Sequence, residues 1–327
     1  MRGFYQTQFA NYGLNFNLIA ANYPDKLVNP RSQVMTIGGE HEFFKGLFVG
    51  SDYVHQRFTG ADRTVDLNAP TPFARTAQNQ SRSVANANLT RPILPVNGGV
   101  RQVNVIMNLG VADYDGLQTQ ISYRGNSRIY TSLSYTISKA TNTFEPDGNG
   151  IGPTETNISA LGEQERGPSV VDQRHRAVFF FSYRFPHDFT AGTLTQYASA
   201  RPFNATTGVD NNGDGVTNDR PVINGVVIGK SAFRGTPTSD VALFLEKRFR
   251  LSETKSILLR GEGFNILNPG NYLGRGVTVY GNVNAAANSD FGWQTSTFSD
   301  STRTLAIPAF ANIDPPRMFQ FQARFIF

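Results

Sequence analysis

Arg317-Met-Phe-Gln-Phe-Gln-Ala-Arg-Phe-Ile-Phe327 is the stretch that decides the fold. Taken at every second residue, Phe319, Phe321, Ala323, Phe325 and Phe327 share one face. Gln320, Gln322 and Arg324 share the other, and Ile326 is the single breach. A period of two is that of a strand with one apolar and one polar face. An antiparallel strand packed on a soluble core has the same period. A chain that stops on Phe, straight out of an alternating aromatic strand, fits better the closing strand of a barrel whose outer face meets lipid.

Composition narrows the choice. The 327 residues contain no Cys, 31 Gly, 26 Phe and 12 Tyr, and only 17% are charged. With no Cys there are no disulfides, thiolate metal sites or cysteine nucleophiles. No apolar run reaches the roughly 18 residues of a membrane helix. A spanning strand needs only about 10 alternating residues, which averaged hydropathy conceals. The net charge of +5 comes from 30 basic residues scattered among 25 acidic ones, so no nucleic-acid surface is expected. The N-terminus, Met1-Arg-Gly-Phe-Tyr-Gln-Thr-Gln, lacks a signal-peptide core.

Working back from the closing strand, the same alternation recurs in hairpins. Residues 33–42 and 46–55 pair across Lys45-Gly46. Leu117, Thr119, Ile121 and Tyr123 oppose Gln118, Gln120, Ser122 and Arg124. Past Gly125-Asn126, the return strand puts Ile129, Thr131, Leu133, Tyr135 and Ile137 on one face and Tyr130, Ser132, Ser134, Thr136 and Ser138 on the other. Ala177, Phe179, Phe181, Tyr183 and Phe185 lead into Pro186-His-Asp188, with the return over 189–199. Residues 238–250 and 255–267 flank Ser252-Glu-Thr254. Between hairpins lie polar segments at about 56–113, 140–172, 200–235 and 268–316, the last holding Trp293. Residues 1–30 read as irregular, with one strand near Gly13 to Ala20. Short turns alternating with loops this long suit a barrel with its short turns on one side of a membrane. Backbone groups in a bilayer demand a helix or a closed sheet. The fold class expected is all-β: an antiparallel transmembrane β-barrel segment of about nine to eleven strands with a polar lumen.

Several stretches together carry a family resemblance. They are Tyr114-Asp-Gly-Leu-Gln118, Ser134-Tyr-Thr-Ile-Ser-Lys-Ala140, Arg166-Gly-Pro168 with Asp172-Gln-Arg-His-Arg176, and Arg201-Pro-Phe203. Asp210-Asn-Asn-Gly-Asp-Gly215 with Asn218-Asp-Arg-Pro221, and Arg260-Gly-Glu-Gly-Phe-Asn-Ile-Leu-Asn268, complete the set. Their order resembles the C-terminal barrel of TonB-dependent outer-membrane receptors, nearest the Oar-like subgroup that carries a carboxypeptidase-regulatory-like domain. The resemblance runs from about residue 31 to the end. It implies a barrel of about 22 strands around an N-terminal plug. It also implies ligand capture by extracellular loops, and uptake when the TonB complex pulls on the plug. This chain shows roughly half those strands and neither plug nor TonB box, so it is expected to be an incomplete barrel. The implied partners are outer-membrane lipid, the TonB complex through the missing N-terminal region, and an unknown extracellular ligand.

The sharpest chemical signal is Asp210-Asn-Asn-Gly-Asp-Gly-Val-Thr-Asn-Asp219. Asp210, Asn212 and Asp214 at alternate positions, then Gly215, match the first half of a calcium loop. The Val216 carbonyl, Asn218 and Asp219 would complete an oxygen set. Where an EF-hand needs a bidentate Glu, this chain has Pro221, and the bland reading is a solvated Asn/Asp/Gly turn. Asp172, Arg174, His175 and Arg176 read as rim charges rather than an acid–base site. Arg260 and Glu262 share a strand face and are expected to pair in the lumen. Tyr53, Tyr123, Tyr135 and Tyr183 are candidates for interface girdles, or for a packed soluble core. His41, His55 and His187 are isolated and form no metal cluster. Neither a phosphate loop nor a nucleophile elbow appears, and no catalytic activity is expected. The expectation is a receptor or transporter barrel in the outer membrane. The alternatives are a surface adhesion or structural protein anchored by its barrel, and a soluble β-rich carbohydrate-binding module.

Overall fold

The computed structural model describes residues 28–92, 104–144, 166–269, 274–275, 294–295 and 317–327, apart from 67, 72, 74–78, 80, 126–127, 206, 208, 216–218 and 224–225. Nine long strands form one antiparallel sheet: β1 (Arg31–Phe44), β2 (Leu47–Asp66), β3 (Asn104–Tyr123), β4 (Ile129–Asn142), β5 (His175–Phe185), β6 (Phe189–Ala198), β7 (Thr238–Arg250), β8 (Ser256–Phe264) and β9 (Met318–Ile326). Each pairs with its neighbours in chain order, and the two-residue piece Gly167–Pro168 adds to the end of β4. Among the described residues the sheet is open, with β1 and β9 each unpaired along one side. It is an incomplete barrel wall, as the sequence implies. The strand expected near Gly13 to Ala20 and the segment around Trp293 lie outside the described residues.

The register sorts the side chains as the alternation predicts. One row runs Val49, Ile121, Leu133, Phe179, Thr195; the next runs Ser51, Thr119, Tyr135, Ala177, Tyr197. The opposite face carries rows such as Gly50, Gln120, Ser134, Val178, Gln196. At β8–β9, Gln320, Gln322 and Arg324 sit across from Glu262, Arg260 and Leu258 on the polar face. Phe319, Phe321 and Phe325 sit across from Gly263, Gly261 and Ile257 on the other. The apolar face is open to its surroundings: Phe321 is 85% exposed and Ile37 68%. Apart from prolines and glycines, only four apolar residues, Ala61, Ala87, Ala205 and Leu258, are buried among the described ones. A soluble sandwich of this size needs an apolar core, and this sheet instead turns its apolar face outward, as lipid requires.

Two glycines of β8 shape that outer face. A Cβ at Gly261 would lie 3.4 Å from the Phe321 ring, and one at Gly263 would lie 3.1 Å from the Phe319 ring. Each ring therefore covers the bare backbone opposite it, while the small Ala323 faces Leu259.

The strands run longer than alternation alone indicates. The segment assigned to loop at 56–113 is shorter, because β2 continues to Asp66 and β3 begins at Asn104. Twenty residues is about twice what a tilted strand needs to cross a bilayer. The outer parts of β2 and β3 therefore stand above the apolar band of the membrane. There the outward positions are His55, Arg57, Asp113 and Asp115, and the apolar alternation stops although pairing continues. Similarly β4 runs to Asn142. The short turns hold: Lys45-Gly46 with Gly46 at φ 87°, and Pro186-His-Asp188 with His187 and Asp188 at φ 63° and 58°. Lys247 contacts the His187 carbonyl, and Arg250 donates to Asp188 Oδ1 at 2.8 Å, which braces that left-handed turn.

Candidate functional site

Among the described residues, the segments around 68–91 and 207–219 fold together beyond the outer strand ends. Ser83 starts a short helix, α1 (Val84–Asn88), by accepting from the Asn86 N–H at 3.2 Å. The loop at Asp210 packs against it. Gly213 has φ 76°, and a Cβ there would lie 2.7 Å from the Ala87 Cβ. Only glycine meets both conditions without strain.

Two arginines tie these segments. Arg82 donates through Nε and Nη2 to the Asn212 carbonyl at 3.0 and 2.9 Å, and through Nη2 to the Thr71 carbonyl at 3.0 Å. Arg91 donates to the carbonyls of Asn68 at 2.7 Å and Asp214 at 2.8 Å, and pairs with Asp66 at 3.4 Å. Burial pulls the Arg82 pKa down, against the opposing effect of Asp214 and Asp210. Asn68, Arg91, Thr207 and Asp219 are all buried. These segments are therefore a packed polar cap, held by hydrogen bonds rather than by apolar contacts.

Within the cap, Asp210 accepts from the Gly213 N–H through Oδ1 at 2.7 Å and from the Gly215 N–H through Oδ2 at 2.9 Å. Asn212 Oδ1 accepts from the Asp214 N–H at 2.8 Å, and Asn212 Nδ2 donates to Asp214 Oδ2 at 3.0 Å. Asp219 Oδ2 accepts from the N–H groups of Asn211 and Asn212. The candidate donors Asp210, Asn212, Asp214 and Asp219 are thus brought into one tight loop. Val216 and Asn218 lie outside the described residues. Among the described residues no group of three His, Asp or Glu side chains is placed to hold a metal ion. Replacing Gly213 by Ala is expected to destabilise the cap by about 2 kcal/mol, through clash and left-handed backbone together. Faster protease cleavage of the cap in intact cells, with the barrel itself unchanged, is the measurement.

Below the cap, Asp172 anchors the rim. Its side chain is fully buried, contacts Arg234, pairs with Arg174 at 3.0 Å and accepts from the Ala140 N–H at 2.7 Å. Arg234 also donates to the Asp172 and Ala200 carbonyls at 3.0 and 2.9 Å. His175 Nδ1 lies 2.7 Å from the Tyr135 hydroxyl. The Asp172 to Arg176 cluster is therefore a structural rim, with no free acid–base pair. In the lumen, Arg260 donates to Glu262 at 2.9 and 2.7 Å, pairs with Glu246 at 3.6 Å and lies 4.4 Å over the Phe244 ring. The expected Arg260–Glu262 pair is present. The luminal wall of β1–β4 holds a polar cleft of about 330 Å³ lined by Glu40, Asp52, Gln118, Gln120 and Ser134. The tyrosines fall on the outward face at two levels, Tyr53 and Tyr135 toward the cap and Tyr123 and Tyr183 toward the short turns.

Sequence reasoning missed the two arginines of the cap and the buried role of Asp172. Ser83, a helix-capping residue ahead of Val84-Ala-Asn-Ala-Asn88, was the one local signal for α1.

A sheet with a polar inner wall, a lipid-compatible outer face, short turns at one end and a polar cap at the other is the wall of an outer-membrane barrel. The chain belongs to the outer membrane beta barrel domain family, whose profile matches residues 3–231. Solved structures of similar shape are the outer membrane transporter YddB from Escherichia coli, the FrpB iron transporter from Neisseria meningitidis and the copper transporter OprC. Identities are 10%, 13% and 11%, and TM-scores 0.48, 0.41 and 0.41. The matches cover 77%, 76% and 94% of this chain but 31%, 29% and 34% of those proteins. The chain thus spans about a third of their length. No curated protein matches the sequence.

Proposed function

We propose that this chain is the barrel wall and ligand-capturing cap of a TonB-dependent receptor, nearest the Oar-like subgroup, that takes up a compound too large for open porins. The observation that carries the reading is the cap. Loops that only anchor a barrel need no buried Arg91 and no folded helix, whereas a capture surface must be preorganised to bind without a large ordering cost. The ordered set of motifs from Tyr114 to Asn268 supports the TonB-dependent family. The soluble carbohydrate-binding alternative requires an apolar core and is set aside. The adhesion alternative differs in its energy requirement, because a receptor of this kind draws on the inner-membrane gradient and an adhesin does not.

Depletion of compounds from complex medium by cells with and without the gene, each with and without an uncoupler, separates these readings. The receptor reading expects at least one large compound whose removal needs both gene and gradient. Gene-dependent removal that ignores the uncoupler overturns TonB coupling, and gene-dependent surface attachment without any uptake favours the adhesin.

Calcium at the Asp210 loop is the second part of the reading. Asp210, Asn212, Asp214 and Asp219, with Val216 and Asn218, would hold the ion, and its charge would rigidify the loop against α1. At free calcium about 100 times its Kd, the cap is expected to gain about 2.7 kcal/mol. Protease resistance of the cap in calcium against chelator is the measure, and Asp210→Asn is expected to remove the difference. Equal resistance in both conditions would sink the calcium assignment.

A further inference from the structure

The outward face of β2–β4 changes character abruptly. From Leu47 to Tyr53 its outward residues are Leu47, Val49, Ser51 and Tyr53, and then come His55 and Arg57. Ten residues of strand tilted by about 40° rise about 25 Å, the height of an outer-membrane apolar band. If Leu47 lies at the short-turn interface, Arg57 lies at the headgroups of the outer leaflet, because the long loops are on the outer side.

At that level stands an assembled cationic site. Asp113, directly across from Arg57 in the ladder, is held by two guanidinium groups, Arg57 at 3.8 Å and Arg166 in closer contact. Arg166 reaches it because Gly167–Pro168 pairs with the end of β4. The carboxylate is the inner layer, 13% exposed, while Arg57 and Arg166 keep 50% and 46% of their side chains exposed. Asp113 thus positions two guanidinium groups side by side and leaves N–H groups on both facing outward. Next to it, exposed Lys139 stands opposite Asp115, whose Oδ1 is already engaged by the Tyr53 hydroxyl at 2.7 Å and by His55 at 2.8 Å. Three permanent cations therefore meet two carboxylates, on the face that touches lipid.

We propose that Arg57, Arg166 and Lys139 form a binding site for the phosphate group of an outer-leaflet glycolipid. A guanidinium pair offers several N–H donors in fork geometry, which matches phosphate oxygens. The position on the lipid-facing side, level with the headgroups, selects a lipid-borne phosphate over one free in solution.

The test uses the protein extracted from outer membranes, stripped of lipid in detergent and given lipid A with its phosphates, the same lipid enzymatically dephosphorylated, or inorganic phosphate. Native mass spectrometry reads the lipid retained. Phosphorylated lipid A is expected to stay bound, dephosphorylated lipid to be lost, and millimolar inorganic phosphate not to displace it. The Arg57→Gln, Arg166→Gln double variant is expected to retain it about thirtyfold more weakly. Asp113→Asn keeps both arginines and removes their internal carboxylate. Its amide oxygen still accepts from a guanidinium, so this variant is expected to bind phosphorylated lipid more tightly than the native protein, and unchanged or weaker binding would overturn the proposal. Equal retention of the dephosphorylated lipid, displacement by inorganic phosphate, or unchanged retention by the double variant would each overturn the proposal.

Discussion

Leu133→Arg is expected to cost about 2–4 kcal/mol of barrel stability, whereas Ser134→Arg, one residue on, is expected to cost less than about 1 kcal/mol. Leu133 lies in the outward row with Ile121 and Phe179, near the middle of the apolar band, and Ser134 lies in the polar row with Gln120 and Val178. A guanidinium at the bilayer midplane must reach back to an interface, and at the lumen wall it meets water or polar groups. Unfolding in urea from lipid vesicles, or the gel mobility of unboiled samples, measures the difference. Equal costs at the two positions would mean that the faces are assigned wrongly or that the sheet does not span lipid. The protein tested must be the whole polypeptide that closes the sheet, since two open edges in hydrocarbon leave backbone groups unsatisfied.

The second large effect is expected at Asp172. Asp172→Ala should destabilise the rim by about 3–5 kcal/mol, because it leaves Arg234 and Arg174 beside a buried void and the Ala140 N–H without its acceptor. Asp172→Asn keeps an acceptor for that N–H and should cost less. The loss should be local. Hydrogen exchange is expected to quicken at Ala140, at Ser169, whose N–H donates to the Ala140 carbonyl, and at Gly235, whose N–H donates to the Arg201 carbonyl. Amides in the centre of β4 and β5 should stay protected. Uniform quickening would place Asp172 in the stability of the whole sheet instead.

How much of this was legible in the sequence follows from where the solvent changes. Within the bilayer the two faces of a strand meet lipid and lumen, so alternation is strong. Hairpins such as Leu117 to Tyr123 with Ile129 to Ile137 stand where the period puts them. Above the apolar band both faces meet polar surroundings, headgroups outside and water inside, so His55, Arg57 and Asp113 carry no period, and β2 and β3 outrun the expected loop boundaries. The cap was the least legible part. Its order depends on arginines and carbonyls far apart in the chain, as when Arg82 meets Asn212, and no local pattern announces such a pair. The Arg260–Glu262 pair was legible because two residues on one strand face are neighbours by geometry alone.

The fit of β9 against β8 has a consequence for assembly. A slip of one residue is an error of parity, since it would move Gln320, Gln322 and Arg324 into lipid, and polarity alone rejects it. A slip of two preserves parity and passes that check. It would, however, set Phe321 against Leu259 with only Phe319 left on a glycine, or Ala323 against Gly261 with only Phe321 left on one, so either slip breaks one of the two matches of ring to bare backbone. Side-chain size thus works as a second digit of an error-correcting code, which detects the misalignment that polarity cannot.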